Sequence, residues 1–374
     1  MKKLILIIII SLCSCSEIEK AEDLISGLSP RQEYQKDENI SDELFQIWKA
    51  RVDVALENSL KIDLPYVEKG FFKPRNFAIY SYDTYLLPGE VIEIKINTES
   101  LSTLIFTTIY KKDNSSGVFE KLKTGAADKK ELSFEVYEQG LYKIVIQPEI
   151  EANSPFQLEI KKSPSYLFPV INGKNSDIGS YWGDMREGGI RDHKGIDIFA
   201  NKGTPVLAPT SGKITFSGEK GLGGKQVWLR DSKRKLDLYF AHLDSIIPKL
   251  KKVKPGDTLG FVGNTGNAKT TPPHLHFGIY KNRRGAIDPI GFVYQTEPAE
   301  NAPADLKNLA DRIKITKNKA ALRNKAALNN SNIVKTGTNG EVLYVQGKTD
   351  DWYHVRDSLD RSMYIHESEV TPAL

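Results

Sequence analysis

The chain has 374 residues, 52 of them lysine or arginine and 48 aspartate or glutamate. That near balance leaves no electrostatic case for a nucleic-acid partner. Cys13 and Cys15 are the only cysteines and lie at the extreme N-terminus, so disulfides brace no folded part and each part must hold by its own core. The length predicts two or three domains.

Lys2 and Lys3 precede an apolar run over 4–12. This is the pattern of an export signal, and it is far shorter than the roughly 20 residues of a membrane-spanning helix. Leu12-Cys13-Ser14-Cys15 resembles the lipobox of bacterial lipoproteins, with Cys15 as the lipidated residue. The resemblance implies a signal peptide over 1–15, export, and attachment to a membrane of the cell envelope through the N-terminal lipid. Ser16 is not the aspartate that in some bacteria retains lipoproteins at the inner membrane. The expected place is therefore the outer membrane, facing the periplasm. Residues 16–40 are polar and read as a tether.

Residues 41–163 read as one amphipathic helix followed by a β-sandwich. Leu44, Ile47, Trp48, Val52, Ala55 and Leu56 recur at helical spacing, with Ser41 as N-cap. From Asn76 to Lys161 short strands alternate, among them 91–96, 103–110, 132–136, 141–146 and 156–160, separated by turn signals such as Pro88-Gly89. This region has neither histidine nor cysteine, so it is expected to serve as spacer, docking surface or lid. Ser163-Pro164-Ser165 reads as a linker.

The chemistry falls in 165–296. His274 and His276, in an apolar run, point to one face of a predicted strand. His193 and Asp197 stand an even number of residues apart, so an extended segment brings both to one face. With His276 they make two imidazoles and a carboxylate, three ligands that suit zinc and leave its fourth position open, as in catalytic rather than structural sites. Zinc makes water a nucleophile near neutral pH. His242 and His274 are groups of the right kind to take the water's proton and to stabilise the developing charge.

The surrounding stretches come in a fixed order: His193-x3-Asp197, Ala208-Pro209-Thr210-Ser211-Gly212, Ala241-His242-Leu243, Lys254-Pro255-Gly256-Asp257, Gly263-Asn264-Thr265-Gly266, His274-Leu275-His276-Phe277 and Asp288-Pro289. This ordered set resembles the lysostaphin/LytM-like family of zinc endopeptidases that cut peptidoglycan peptides. It departs from the pattern at Thr271-Pro272-Pro273, where many relatives carry Gly or Ser. The resemblance implies a compact antiparallel β domain with one zinc ion held by His193, Asp197 and His276. His242 and His274 would stand beside the water and the oxyanion, and peptidoglycan peptides would be the substrate.

Residues 297–319 read as a linker, within which 305–317 is either a short helix or a strand-like connection. Residues 320–374 resemble a bacterial SH3-like domain, by Ala321-Leu322-Arg323, Gly340 to Val345, Trp352 to Arg356 and Ser362 to Ile365. Trp352 and Tyr364 suit either barrel core or a wall-peptide contact. His354 and His366 fit no metal spacing and read as surface residues. The basic run 249–254 reads as a solvated loop, with an anionic cell-wall polymer as the lesser alternative.

The fold class expected is thus all-β: sandwich with one helix, central antiparallel peptidase-like domain, small C-terminal barrel. The activity expected is zinc-dependent hydrolysis of peptidoglycan cross-links or stem peptides. The sandwich and the SH3-like domain are further places for cell-wall protein partners. The alternative from another class is a non-catalytic regulator of the same fold that activates a cell-wall amidase. A complete ligand set speaks against it, because some family members that act as activators have lost ligands.

Overall fold

Pro30, which has no N–H to leave unbonded in a first turn, opens helix α1 (Pro30–Asp37), with the Gln32 side chain bonding back to the Ser29 backbone. The structure is a computed structural model that describes residues 28–58, 60–281, 285–296 and 309–373. Cys15 and the apolar run at 4–12 lie outside the described residues, as does most of the 297–319 segment. Helix α1 corrects the expectation of a plain tether over 16–40: it folds because Tyr34 buries its ring against Trp48 and Phe106 and its hydroxyl accepts from the Ile150 amide at 2.9 Å. Helix α2 (Asp42–Glu57) starts at Ser41, whose Oγ accepts from the Leu44 amide. Its buried stripe is Phe45, Trp48 and Ala55, while Ile47 faces solvent. Trp48 donates its indole N–H to Pro148 O, which fixes the helix on the sandwich.

The expected strands of the sandwich form, together with three the alternation did not mark: Tyr66–Phe72, Tyr80–Leu86 and Phe119–Thr124. A four-stranded sheet made of Tyr80–Leu86, Gly140–Pro148, Ile105–Lys112 and Phe119–Thr124 faces a second sheet across a core of Tyr80, Tyr82, Ile92, Ile94, Ile144, Phe156 and Leu158. Ser163 and Pro164, expected in a linker, are the last residues of strand Ser154–Pro164, paired with Val91 and Glu90. Proline is tolerated there because a strand end needs no donor.

The second sheet does not stop at the sandwich. Strand Tyr66–Phe72 pairs with Val342–Thr349, register Lys69–Lys348 and Gly70–Gly347, so the C-terminal strands extend it to eleven. Arg312–Ile315 is one of those strands, paired with Val342–Thr349 and Val370–Pro372, so the described part of the 305–317 segment is strand and not helix. Strand Trp352–Arg356 is covered on both faces. Val355 enters a small C-terminal core with Leu322, Leu343 and Ile365, while Trp352 joins the sandwich core. His354 is fully buried, its Nδ1 2.9 Å from Glu68 Oε1, which corrects its reading as a surface residue. Tyr364 is fully buried and Trp352 nearly so, which makes both core residues.

The central part has a core of its own, including Ile196, Ile198, Leu229, Leu238, Phe240, Leu275, Phe277 and Ile279. Its main sheet runs Lys252–Val253, Gly212–Glu219, Lys225–Asp231, Leu236–Leu243, His274–Lys281, Ile196–Phe199, Ile178–Ser180, with Gly285–Ile287 on the far side of His274–Lys281. All the pairings are antiparallel.

Candidate metal centre

Three neighbouring strands position the site. Asp197 lies directly opposite His276, and Phe199 opposite His274, while His276 has Ala241 on its other side. Alternation does the rest: His274 and His276 share a face, Asp197 meets them, and Leu275 and Phe277 turn into the core. His193 is not on the Asp197 strand but in the turn before it, and reaches the same point because Lys194 and Gly195 bring the chain round. The backbone at Gly195 must pass close to the site. A Cβ there would lie 2.5 Å from Phe277 O and 2.9 Å from His276 Cε1. Gly195→Ala is therefore expected to displace the His276 ring and abolish metal binding while the core still folds. A zinc-competition assay beside a circular-dichroism melt checks this.

The three donor atoms converge. His193 Nε2 is 3.1 Å from Asp197 Oδ1 and 3.0 Å from His276 Nδ1, and His276 Nδ1 is 2.9 Å from Asp197 Oδ1. Separations near 3 Å are those of donors each about 2 Å from one shared ion. The set is two nitrogens and an oxygen, largely buried. Burial pushes the Asp197 pKa up, but the hydrogen bonds and charges of His193 and His276 outweigh it and hold the carboxyl well below the ordinary range. Burial lowers the His276 pKa against the opposing pull of Asp197.

His242 and His274 stand beside this trio, their rings 5.1 Å apart and that of His242 5.9 Å from His276. Each has one nitrogen committed to a carbonyl, His242 Nδ1 to Thr265 O at 2.9 Å and His274 Nδ1 to Pro272 O at 2.8 Å. Among the described residues Nε2 of neither makes a hydrogen bond, that of His274 standing 4.0 Å from Asp197 Oδ1. His242 adopts φ +63°, a left-handed conformation uncommon outside glycine and concentrated at functional sites. Burial, then the charges of His276 and His274, pull its pKa down to about 4, so it is neutral in the neutral pH range.

Behind the trio is a layer with no sequence period to announce it. Arg186 Nη2 donates to Asp197 Oδ2 at 2.6 Å and to Ser180 Oγ at 2.5 Å. Ser180 Oγ donates to Asp184 Oδ2 at 2.8 Å, and His193 Nδ1 donates to Tyr181 O at 2.8 Å. One short segment, 180–186, thus orients two of the three converging side chains. The groove is completed by Phe199, Tyr239 and Tyr280 and has a volume of about 470 Å³.

Three convergent donors, with two more imidazoles beside them in an open groove, are a set that could hold one metal ion. Residues 191–289 match Peptidase family M23, and the chain carries a domain of that family. It is 37% identical over 126 residues to the L-Ala--D-Glu endopeptidase of Bacillus subtilis, covering 31% of this chain and 38% of that protein. It is 45% identical over 106 residues to the DD-carboxypeptidase/endopeptidase Mpg of Neisseria meningitidis serogroup B, covering 28% and 24%. The solved catalytic domain of the antimicrobial peptidase lysostaphin from Staphylococcus simulans is 35% identical and matches 33% of this chain and 92% of its own, with a TM-score of 0.29. The chain spans well under half the length of the two curated relatives.

Proposed function

We propose that the protein is a zinc endopeptidase that hydrolyses peptide bonds in peptidoglycan cross-links or stem peptides, exported and lipid-anchored through Cys15. The observation that carries the catalytic part is the convergence of His193, Asp197 and His276 beside the imidazoles of His242 and His274. The M23 domain and relatives named for endopeptidase activity support it. The envelope location rests on the sequence at 1–16.

Zinc bound by His193, Asp197 and His276 would polarise the scissile carbonyl and activate a water. His242, neutral, accepts the water's proton at Nε2, and the Thr265 carbonyl stabilises the imidazolium that results. His242 then returns that proton to the leaving amine. His274, when protonated, donates from Nε2 to the oxygen that gains charge, its ring steered by Pro272 O. Arg186 holds the second Asp197 oxygen and so keeps the first aimed at the metal position.

Arg186→Ala is expected to weaken zinc binding about 10- to 100-fold. Arg186→Lys should recover only part, because a point charge cannot reach both Asp197 and Ser180. Competition against a chromogenic chelator reads both. The reaction itself is tested by incubating the zinc-loaded chain from Ser16 onward with purified sacculi of two cross-link chemistries. Fragments identified by mass spectrometry and absent with Asp197→Ala establish the activity and name the bond. Saturated zinc with no fragments from either substrate moves the assignment to the regulator.

A further inference from the structure

A second groove of about 1330 Å³ lies at the opposite edge of the central sheet from the metal centre. Its lining carries five basic side chains, Lys213, Lys233, Arg234, Lys252 and Lys254, against two acidic ones. Both acids are committed internally: Asp231 accepts from Tyr166 and Arg234, and Asp257 accepts from the Lys254 amide. Arg234 is likewise taken up by Asp231 and Glu135. Lys213, Lys252 and Lys254 are exposed, and among the described residues none has an acidic ion-pair partner. For a chain whose whole net charge is +4, this is a strong local concentration.

The arrangement also works against the fold. Lys213 lies directly opposite Lys252 on one neighbouring strand and opposite Arg230 on the other. Like charges in directly opposed positions destabilise an antiparallel pair. Of these neighbours, Arg230 is answered by Asp237 at 2.6 Å, while the two lysines are left facing each other. Lys213 and Lys252 stand on adjoining strands with Lys254 two residues on, and Lys233, 4.0 Å from Glu135, lines the same groove. Cations repeated along neighbouring strands suit an anion whose charges are repeated along a chain.

We propose that this groove is a second binding site, for a linear polyanion with phosphate or carboxylate groups spaced along it, such as an anionic polymer of the cell envelope. Four strand spacings separate its edge strand from His274–Lys281, about 20 Å, so a polymer held here leaves the metal groove free. The site does not depend on the catalytic assignment.

The test uses the chain from Ser16 onward, inorganic polyphosphate as probe, and the triple variant Lys213→Gln, Lys252→Gln, Lys254→Gln. Wild type should bind polyphosphate, weakening roughly tenfold or more between 50 and 200 mM salt. The triple variant should bind at least about tenfold more weakly, with a shallower salt dependence. Its melting temperature should stay level or rise, because the opposed lysines are gone, so weaker binding is not unfolding. Asp197→Ala should bind as wild type does. Equal binding by wild type and triple variant overturns the proposal. So does binding to phosphatidylcholine vesicles containing phosphatidylglycerol without binding to polyphosphate, which would make the patch a membrane contact.

Discussion

Asp197→Ala is expected to reduce hydrolysis to the metal-free background and to weaken zinc binding by more than about 100-fold. The size of the effect follows from two losses at once. One converging donor disappears, and Arg186, whose guanidinium now rests on Asp197 Oδ2, is left as an unanswered cation beside the metal position. Asp197→Asn keeps the shape but not the charge, and should fall close to the alanine variant in zinc affinity. Isothermal titration with zinc, alongside fragment release from sacculi, measures both. His242→Ala should separate from them: zinc still binds, and kcat falls by about 10²–10⁴, the range for a lost general base.

The largest stability effect is expected far from the site, at Glu68. This carboxylate and His354 are both fully inaccessible. Glu68 accepts from His354 Nδ1 at 2.9 Å, Tyr66 Oη at 2.5 Å and Tyr82 Oη at 2.8 Å, and Tyr364 Oη joins Tyr66 at 2.8 Å. Burial, then the charge of Glu68, raises all three tyrosines well above their ordinary range, so they remain neutral donors. Removing one partner of a buried pair typically costs about 3–5 kcal/mol, because the other is stranded. Glu68→Ala should destabilise by that amount, read by guanidinium unfolding followed at Trp352. Glu68→Leu with His354→Leu should recover much of the loss. Zinc affinity should not change, since the metal centre rests on a separate core. The seam is closed by two glycines in register, Gly70 and Gly347. A Cβ on Gly70 would meet Gln346 O and one on Gly347 the Glu68 carboxylate.

Two of the three converging side chains, Asp197 and His276, were legible because strand spacing carries geometry, whereas His193 reaches them from a turn and not from the extended segment its even spacing suggested. His274 and His276 share a face by the two-residue period of a strand, and Asp197 sits directly across from His276. Arg186 was not legible: its contact with Asp197 crosses a loop, where no period relates position to direction. His354 was misread for a related reason. Trp352–Arg356 buries both faces, one in the small C-terminal core and one against the sandwich. A strand covered on both sides loses the alternation from which exposure is read. The joining strand Tyr66–Phe72 passed unnoticed because Glu68, which reads as polar surface, is the residue it buries deepest. Helix α1 was hidden by its polar composition, since only Tyr34 of its residues is buried and Arg31, which reads as surface, bonds Gln147 and lies over Trp48 and Phe106.

Hydrolysis is expected to require one zinc ion per chain, and a zinc titration of chelator-stripped protein tests this most directly. With peptide release from sacculi as readout, the rate should be nil without metal, rise with added zinc and level off at one equivalent. Release that persists in stripped protein, or none at full zinc occupancy, would contradict it.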